Sequence, residues 1–204
     1  MFVGLTGLIG AGKTTAAKIL EAFGAAVINA DRIGRRVVDN SPVLRRKLAR
    51  AFGPDVIADT GRLDRRMVAQ RAFADEAARK VLNSLVHPYL LKELGKEMRV
   101  QARHHPVVVV DAALLLEWDL DFQMDHTIVI DAPREVRFDR LRERGLSEAD
   151  ALARELRQLP AAEFHARADS VIDNSGSVDD LKAKLEELWA SLGGETNNDM
   201  RKGS

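Results

Sequence analysis

Gly7-Leu8-Ile9-Gly10-Ala11-Gly12-Lys13-Thr14 spells G-x-x-x-x-G-K-[ST], the spacing of a loop that wraps the phosphates of a nucleoside triphosphate. Glycines at 7, 10 and 12 permit backbone angles that a Cβ would oppose, so successive N–H groups can turn inward around phosphate oxygens. A helix beginning at the end of the loop adds the positive end of its dipole. The Lys13 ammonium can reach the β- and γ-phosphates, and the Thr14 hydroxyl can ligate Mg²⁺. Gly10, Ala11, Gly12, Lys13, Thr14 and Thr15 are therefore the expected nucleotide-binding residues.

Two carboxylates and a row of arginines extend this chemistry. Asp31 closes the apolar run Ala26-Val27-Ile28-Asn29-Ala30. Parallel sheets collect ligands at strand carboxyl ends, where Asp31 could meet a substrate hydroxyl or Mg²⁺. It could equally cap a helix starting near Arg32. Asp111 closes Val107-Val108-Val109-Val110, the usual form of the acidic strand end that holds Mg²⁺ directly or through water. Arg137, Arg140 and Arg144 fall at i, i+3 and i+7 on one expected helix face. They either lie in solvent, paired with Glu135 and Glu143, or form a lid that clamps a transferring phosphoryl group.

Other residues stay open on local chemistry. His87 precedes a proline and reads as a helix-breaking junction. Glu117, in Ala112-Ala113-Leu114-Leu115-Leu116-Glu117-Trp118, is either the solvent edge of a core segment or part of an acceptor pocket. Asn174 either makes an Asx turn or presents a polar group to an adenine ring.

The elements that must hold these groups follow from periodicity and punctuation. Strand character marks Phe2–Thr6, Ala26–Asp31, Val107–Asp111, Asp125–Asp131 and a last short strand within Ala168–Gly176. Helical spacing marks Thr14–Phe23, with Gly24 as its stop. Ser41-Pro42 opens a helix that Phe52-Gly53-Pro54 closes. Asp59–Arg62 makes a turn, and Leu63-Asp64-Arg65 leads into a helix. Phe73–Leu85 continues in helical period until His87-Pro88 interrupts it. Ala132-Pro133 starts the arginine-bearing helix; after Gly145 a second helix, capped by Ser147, runs to about Gln158-Leu159-Pro160. A final helix covers Val178–Leu192.

These elements predict an α/β three-layer phosphate-loop fold, with a mainly parallel five-stranded sheet and helices on both faces. Residues 1–31, 105–133 and 168–193 form the nucleotide-binding core. Residues 32–104 form a helical acceptor-binding insertion, too long for a simple crossover. Residues 134–167 form a lid, and 194–204 a disordered tail.

Composition narrows the class. The 204 residues are 46% hydrophobic, and 31 basic side chains balance 31 acidic ones, so no global field recruits nucleic acid or an anionic membrane. With no cysteine, disulfides, thiolate metal sites and a cysteine nucleophile are excluded. The absence of a signal peptide or a membrane-length apolar run makes a cytoplasmic protein the expectation. Its partners are then small molecules, without nucleic acid or membrane, and it is a monomer or weak homo-oligomer. No Asn-Lys-x-Asp base-reading motif occurs, which argues against a GTPase switch. A small-molecule kinase using ATP and Mg²⁺ fits best, with Asp31 orienting or deprotonating the acceptor hydroxyl. A nucleotide-dependent regulatory protein without transfer activity stays open.

The chain resembles the dephospho-coenzyme A kinases across about residues 1–190. The likeness rests on Gly4-Leu5-Thr6-Gly7 before the loop, Ala30-Asp31, Phe52-Gly53, Gly61-Arg62-Leu63-Asp64-Arg65, and Leu82-Asn83 with His87-Pro88. It continues through Leu114-Leu115 with Glu117, Arg140 and Arg144, Gln158, Ala168-Asp169 and Val171-Ile172-Asp173-Asn174-Ser175-Gly176. The resemblance implies ATP-dependent phosphorylation of the ribose 3′-hydroxyl of dephospho-coenzyme A, the last step of coenzyme A synthesis. It implies Asp31 as catalytic base, with Arg65, His87, Leu114, Leu115 and Glu117 in or near the acceptor pocket. It also implies Arg140 and Arg144 on phosphates, and Asn174 near the adenine. A kinase for another acceptor, such as a nucleoside monophosphate, is the alternative. Two positions depart from the family pattern. Asn29-Ala30-Asp31 replaces Asp-Ala-Asp, and Ala113-Leu114-Leu115 replaces Pro-Leu-Leu.

Overall fold

The computed structural model describes residues 1–193; the expected tail, 194–204, lies outside them. Short, continuous apolar runs make strands that can be buried on both faces, the habit of a parallel sheet. Five such strands form: β1 (Phe2–Gly7), β2 (Ala26–Asn29), β3 (Val108–Asp111), β4 (His126–Asp131) and β5 (Ser170–Asp173). Their order is β2-β3-β1-β4-β5, with every neighbouring pair parallel. The register sets Leu5 beside both Asp111 and Ile128, and Asn29 beside Asp111. The carboxyl ends of β1, β2 and β3 thus lie along one edge.

The chain divides into two compact units: Met1–Asn29 with the described chain from Met98 onward, and Ala30–Glu97. In the first, α1 (Lys13–Ala22) and α9 (Val178–Ser191) pack together, with the Phe23 and Trp189 rings 6.2 Å apart. A capping box of Ser177 and Asp180 starts α9. Leu115 fills the space beside Gly4, where a Cβ would come within 2.9 Å of its methyl group.

The second unit is helical: α2 (Ala30–Asn40), α3 (Pro42–Phe52), α4 (Arg65–Ala72) and most of α5 (Glu76–Gln101). Ser41 caps α3 by accepting from the Leu44 N–H (3.1 Å), and Asp64 caps α4 by accepting from Met67 (3.0 Å). Gly53, at φ 102°, ends α3. Leu44, Leu48, Val56, Val68 and Leu90 are buried here.

Three expectations need correction. β2 stops at Asn29 and α2 begins at Ala30, so Asp31 lies in the first helical turn rather than at a strand end or cap. An acid there suits the helix dipole. His87-Pro88 does not interrupt the chain, because α5 continues through Pro88. Proline removes one backbone hydrogen bond and crowds the preceding turn, but burial of Leu90 and Leu94 beyond it favours the helical path. The actual break precedes Glu76, where Asp75 accepts from the Ala78 N–H (2.7 Å). Last, α6 (Arg134–Glu143) is followed by α7 (Glu148–Glu155), which ends before Gln158, and by a further short helix, α8 (Ala161–Ala166). Among the described residues no helix is long and apolar enough to cross a membrane.

Candidate active site

The phosphate loop leaves β1 at Gly7 and enters α1 at Lys13. Gly10 and Gly12 take φ values of 80° and 98°, where side chains are disfavoured. Space enforces the same choice. A Cβ on Gly10 would come within 2.5 Å of the Arg137 carbonyl oxygen, and one on Gly12 would strike the Asn174 amide. Gly12 caps α1 without a side-chain hydrogen bond, and no acid occupies the first turn. The helix N-terminus is therefore open to an anion. Ala11 is buried, Thr15 half-buried and Thr14 exposed.

Lys13 Nζ pairs with Asp111 Oδ1, and both side chains are largely buried, at 16% and 8% exposure. Asn29 Nδ2 donates to the other oxygen, Oδ2, at 3.0 Å. Asn29 is the first departure from the family pattern. An aspartate at 29 would set a second carboxylate against Asp111, whereas asparagine offers a donor. Among the described residues no group of three His, Asp or Glu side chains could hold a metal by itself. The donors present, a Thr14 hydroxyl and the Asp111 carboxylate, are hard oxygens at the head of an anion-binding loop. They suit Mg²⁺, which usually completes its shell with phosphate oxygens and water.

The arginine row separates into different roles. Arg137 is only 5% exposed and pairs with neither Glu135 nor Glu143. It donates from Nε to the Ala132 carbonyl (3.0 Å), from Nη1 to the Ile9 carbonyl (3.2 Å) and from Nη2 to Glu155 (2.8 Å). Glu155 also accepts from Arg134 Nε (2.9 Å). Burial raises the Glu155 pKa, but hydrogen bonds from Arg134 and Arg137 and their charges outweigh it, leaving the carboxyl below its ordinary value. Arg140 points a buried Nη1 that has no hydrogen-bond partner among the described residues, while its Nη2 lies 3.5 Å from the Gly176 carbonyl. Arg144 is the exposed C-cap of α6.

Asn174 is buried against the loop: its Nδ2 donates to the Ala11 carbonyl (2.7 Å), and its backbone N–H donates to Asp131 (2.7 Å). Gln158 also meets the loop, accepting from the Ile9 N–H (2.7 Å) and facing the Gly7 carbonyl at 3.4 Å. Neither contact was legible from local sequence, since each spans about 150 residues or more. Leu115 is wholly buried, Leu114 half-buried, and Glu117 Oε1 accepts from the Leu159 N–H (3.4 Å).

Within the Ala30–Glu97 unit, Asp31 is half-buried in the first turn of α2, and His87 half-buried in α5. Arg65, the first residue of α4, pairs with Asp39 and lies 3.5 Å from the Arg35 carbonyl. It lines a cleft of about 730 Å³ together with Asp39, Arg45, Arg62 and Asp64.

A parallel sheet, a glycine loop opening into a helix, and a lysine at the start of that helix paired with a strand-end aspartate define a phosphate-loop nucleotide-binding protein. The model of the dephospho-CoA kinase family matches residues 1–180, and the chain belongs to that family. It is 40% identical over 194 residues to the dephospho-CoA kinase of Anaeromyxobacter dehalogenans, spanning 94% of this chain and 92% of that one. With the Corynebacterium glutamicum dephospho-CoA kinase it shares 39% identity over 192 residues, 93% of this chain and 98% of that one. The crystal structure of a Thermus thermophilus protein superimposes with a TM-score of 0.82 at 35% identity, covering 94% of this chain and 97% of that one. Shikimate kinase from Bacteroides thetaiotaomicron shares the fold, at a TM-score of 0.53 and 17% identity, with 95% and 98% covered.

Proposed function

We propose that this kinase transfers the γ-phosphoryl group of ATP to the ribose 3′-hydroxyl of dephospho-coenzyme A, giving coenzyme A and ADP. The observation that carries the reading is the open N-terminus of α1 beside Lys13 and Asp111, in a chain of this family. The loop N–H groups and Lys13 bind the triphosphate, and Lys13 neutralises charge that develops on the β- and γ-oxygens. Thr14 and Asp111 would hold Mg²⁺, which supplies further charge neutralisation when bound. Arg140, whose buried Nη1 has no hydrogen-bond partner among the described residues, and Arg144 offer donors to the phosphates. Asn174 holds the loop beneath the nucleotide and would border its adenine.

Asp31 is the proposed base. It takes the proton of the acceptor hydroxyl as that oxygen bonds to the γ-phosphorus and the bond to the β–γ bridging oxygen breaks. The cleft lined by Arg45, Arg62 and Arg65 has the chemistry to hold a diphosphate, which dephospho-coenzyme A carries. His87 in the Ala30–Glu97 unit, and Leu114, Leu115 and Glu117 in the other, are further proposed acceptor-binding residues. In this reading residues 32–104 serve the acceptor and 134–167 act as a lid. The enzyme works in the cytoplasm on small molecules alone, as a monomer or weak homo-oligomer.

Purified protein with ATP, Mg²⁺ and dephospho-coenzyme A should form ADP and coenzyme A. Turnover no higher than that of a Lys13→Ala control would overturn the proposal. Preferential transfer to a nucleoside monophosphate in the same assay would reassign the acceptor. ATP binding in calorimetry with no transfer to any acceptor would make the protein regulatory.

A further inference from the structure

The outer surface of the phosphate loop is as closely matched as its inner surface is open. Along Gly7–Ala11, side chains from far along the chain meet four backbone groups. Gln158 takes the Ile9 N–H and faces the Gly7 carbonyl, Arg137 donates to the Ile9 carbonyl, and Asn174 donates to the Ala11 carbonyl. Gln158 and Arg137 are tied to one another through α7. Glu155, at the last turn of α7, holds the Arg137 guanidinium three residues before Gln158. Close packing accompanies these bonds, since Gly10 lies against the Arg137 backbone.

We propose that Gln158, braced by the Arg137–Glu155 pair, is a positioning residue that sets the phosphate loop in its anion-accepting shape. A carboxamide suits both contacts because it carries an acceptor and a donor on one planar group. Glutamate in its place keeps an acceptor for Ile9 but offers nothing to Gly7, and an arginine offers nothing to Ile9. Holding the Ile9 N–H and the Gly7 carbonyl fixes the backbone that leads into Gly10 and Gly12. Small angular errors in such a loop weaken several charge-assisted hydrogen bonds together. The end of α7 is accordingly an anchored strut of the nucleotide site, even though it belongs to the expected lid. Gln158 is not assigned contact with either substrate; it acts through the loop.

The inference rests on the loop holding ATP, so the test has one arm that needs no substrate. Amide hydrogen exchange in Gln158→Met should quicken at Ile9 by about 10-fold or more, while strand β3 keeps wild-type protection. Gln158→Glu, which retains an acceptor, should restore most of the Ile9 protection. In steady-state kinetics Gln158→Met should lower kcat by about 10-fold or more, with KM for dephospho-coenzyme A changed less than twofold. Wild-type exchange at Ile9 in both variants would overturn the proposal. So would normal kcat per folded molecule accompanied only by a lower melting temperature, the signature of a purely structural contact. If the wild-type enzyme transfers to no acceptor, the kinase reading fails while the exchange result still decides the role of Gln158.

Discussion

The phosphate-loop unit and the helical Ala30–Glu97 unit spend their charges differently. In the first, Lys13 with Asp111 and Arg137 with Glu155 are largely buried; Asn29 donates to Asp111, and Arg137 also reaches the distant Ile9 carbonyl. In the second, the ion pairs are exposed: Arg65–Asp39 at 46% and 56%, and Arg71–Asp55 at 38% and 55%. Lys80–Glu76 and Lys96–Glu93 are simply neighbours along one helix. Buried, multiply bonded pairs hold one geometry, and losing one partner leaves a stranded charge. Exposed pairs contribute little, on the order of 0–1 kcal/mol, and exchange partners readily. Buried pairs that fix a donor site in one unit, and in the other exposed arginine pairs whose carboxylates a phosphate could replace, are a workable division of labour for a two-substrate kinase.

Substitutions can break or sharpen this contrast. The largest effect should come from Lys13→Ala, which removes the loop cation and strands Asp111. Turnover should fall by about 10³-fold or more in a coupled ADP assay, and a loss under tenfold would mean the buried pair is structural only. Asp31→Asn should lower kcat by about 10²-fold with little change in ATP affinity; an effect confined to KM would make Asp31 a binding group. Arg65→Ala should raise KM for the acceptor about 10-fold and leave KM for ATP and the melting temperature nearly unchanged. A substantial fall in melting temperature would show that the exposed pair with Asp39 is more than an interchangeable contact.

The smallest effect concerns acid. The folded-state pKa of Glu155 lies below its ordinary 4.5, through the hydrogen bonds from Arg134 and Arg137 that outweigh burial. Its pairing therefore contributes stability that is fully present above the unfolded-state value and is lost as pH falls through the lowered value. Melting curves of wild type and Glu155→Gln should converge on acidification below about pH 4.5. Parallel curves across that range would show that the ionised carboxylate contributes nothing.

Much of this was visible in local patterns. The glycine loop, the apolar strands closed at Asp111 and Asp131, and the caps at Ser41 and Ser147 all stand where their residue types suggested. Each depends on a few consecutive residues. Asp31 was displaced by one boundary shift, because β2 passes into α2 at Ala30 without a loop. His87-Pro88 misled for a different reason. Proline's local cost is real, but the buried positions beyond it lie outside a local window.

By itself, the sequence determined the class of chemistry and the family, since glycine spacing, the lysine and the strand-end acids act through backbone rules that operate over a few residues. The phosphate loop's supports were decided only in the tertiary structure. Arg137 could have paired with Glu135 or Glu143 on its own helix, yet folding brings it to Glu155 and Ile9; Gln158 and Asn174 likewise reach Gly7, Ile9 and Ala11. Helical periodicity names the face a side chain leaves from. Which partner it meets there is set by packing between distant segments, where a buried polar group must find its hydrogen bond or destabilise the fold.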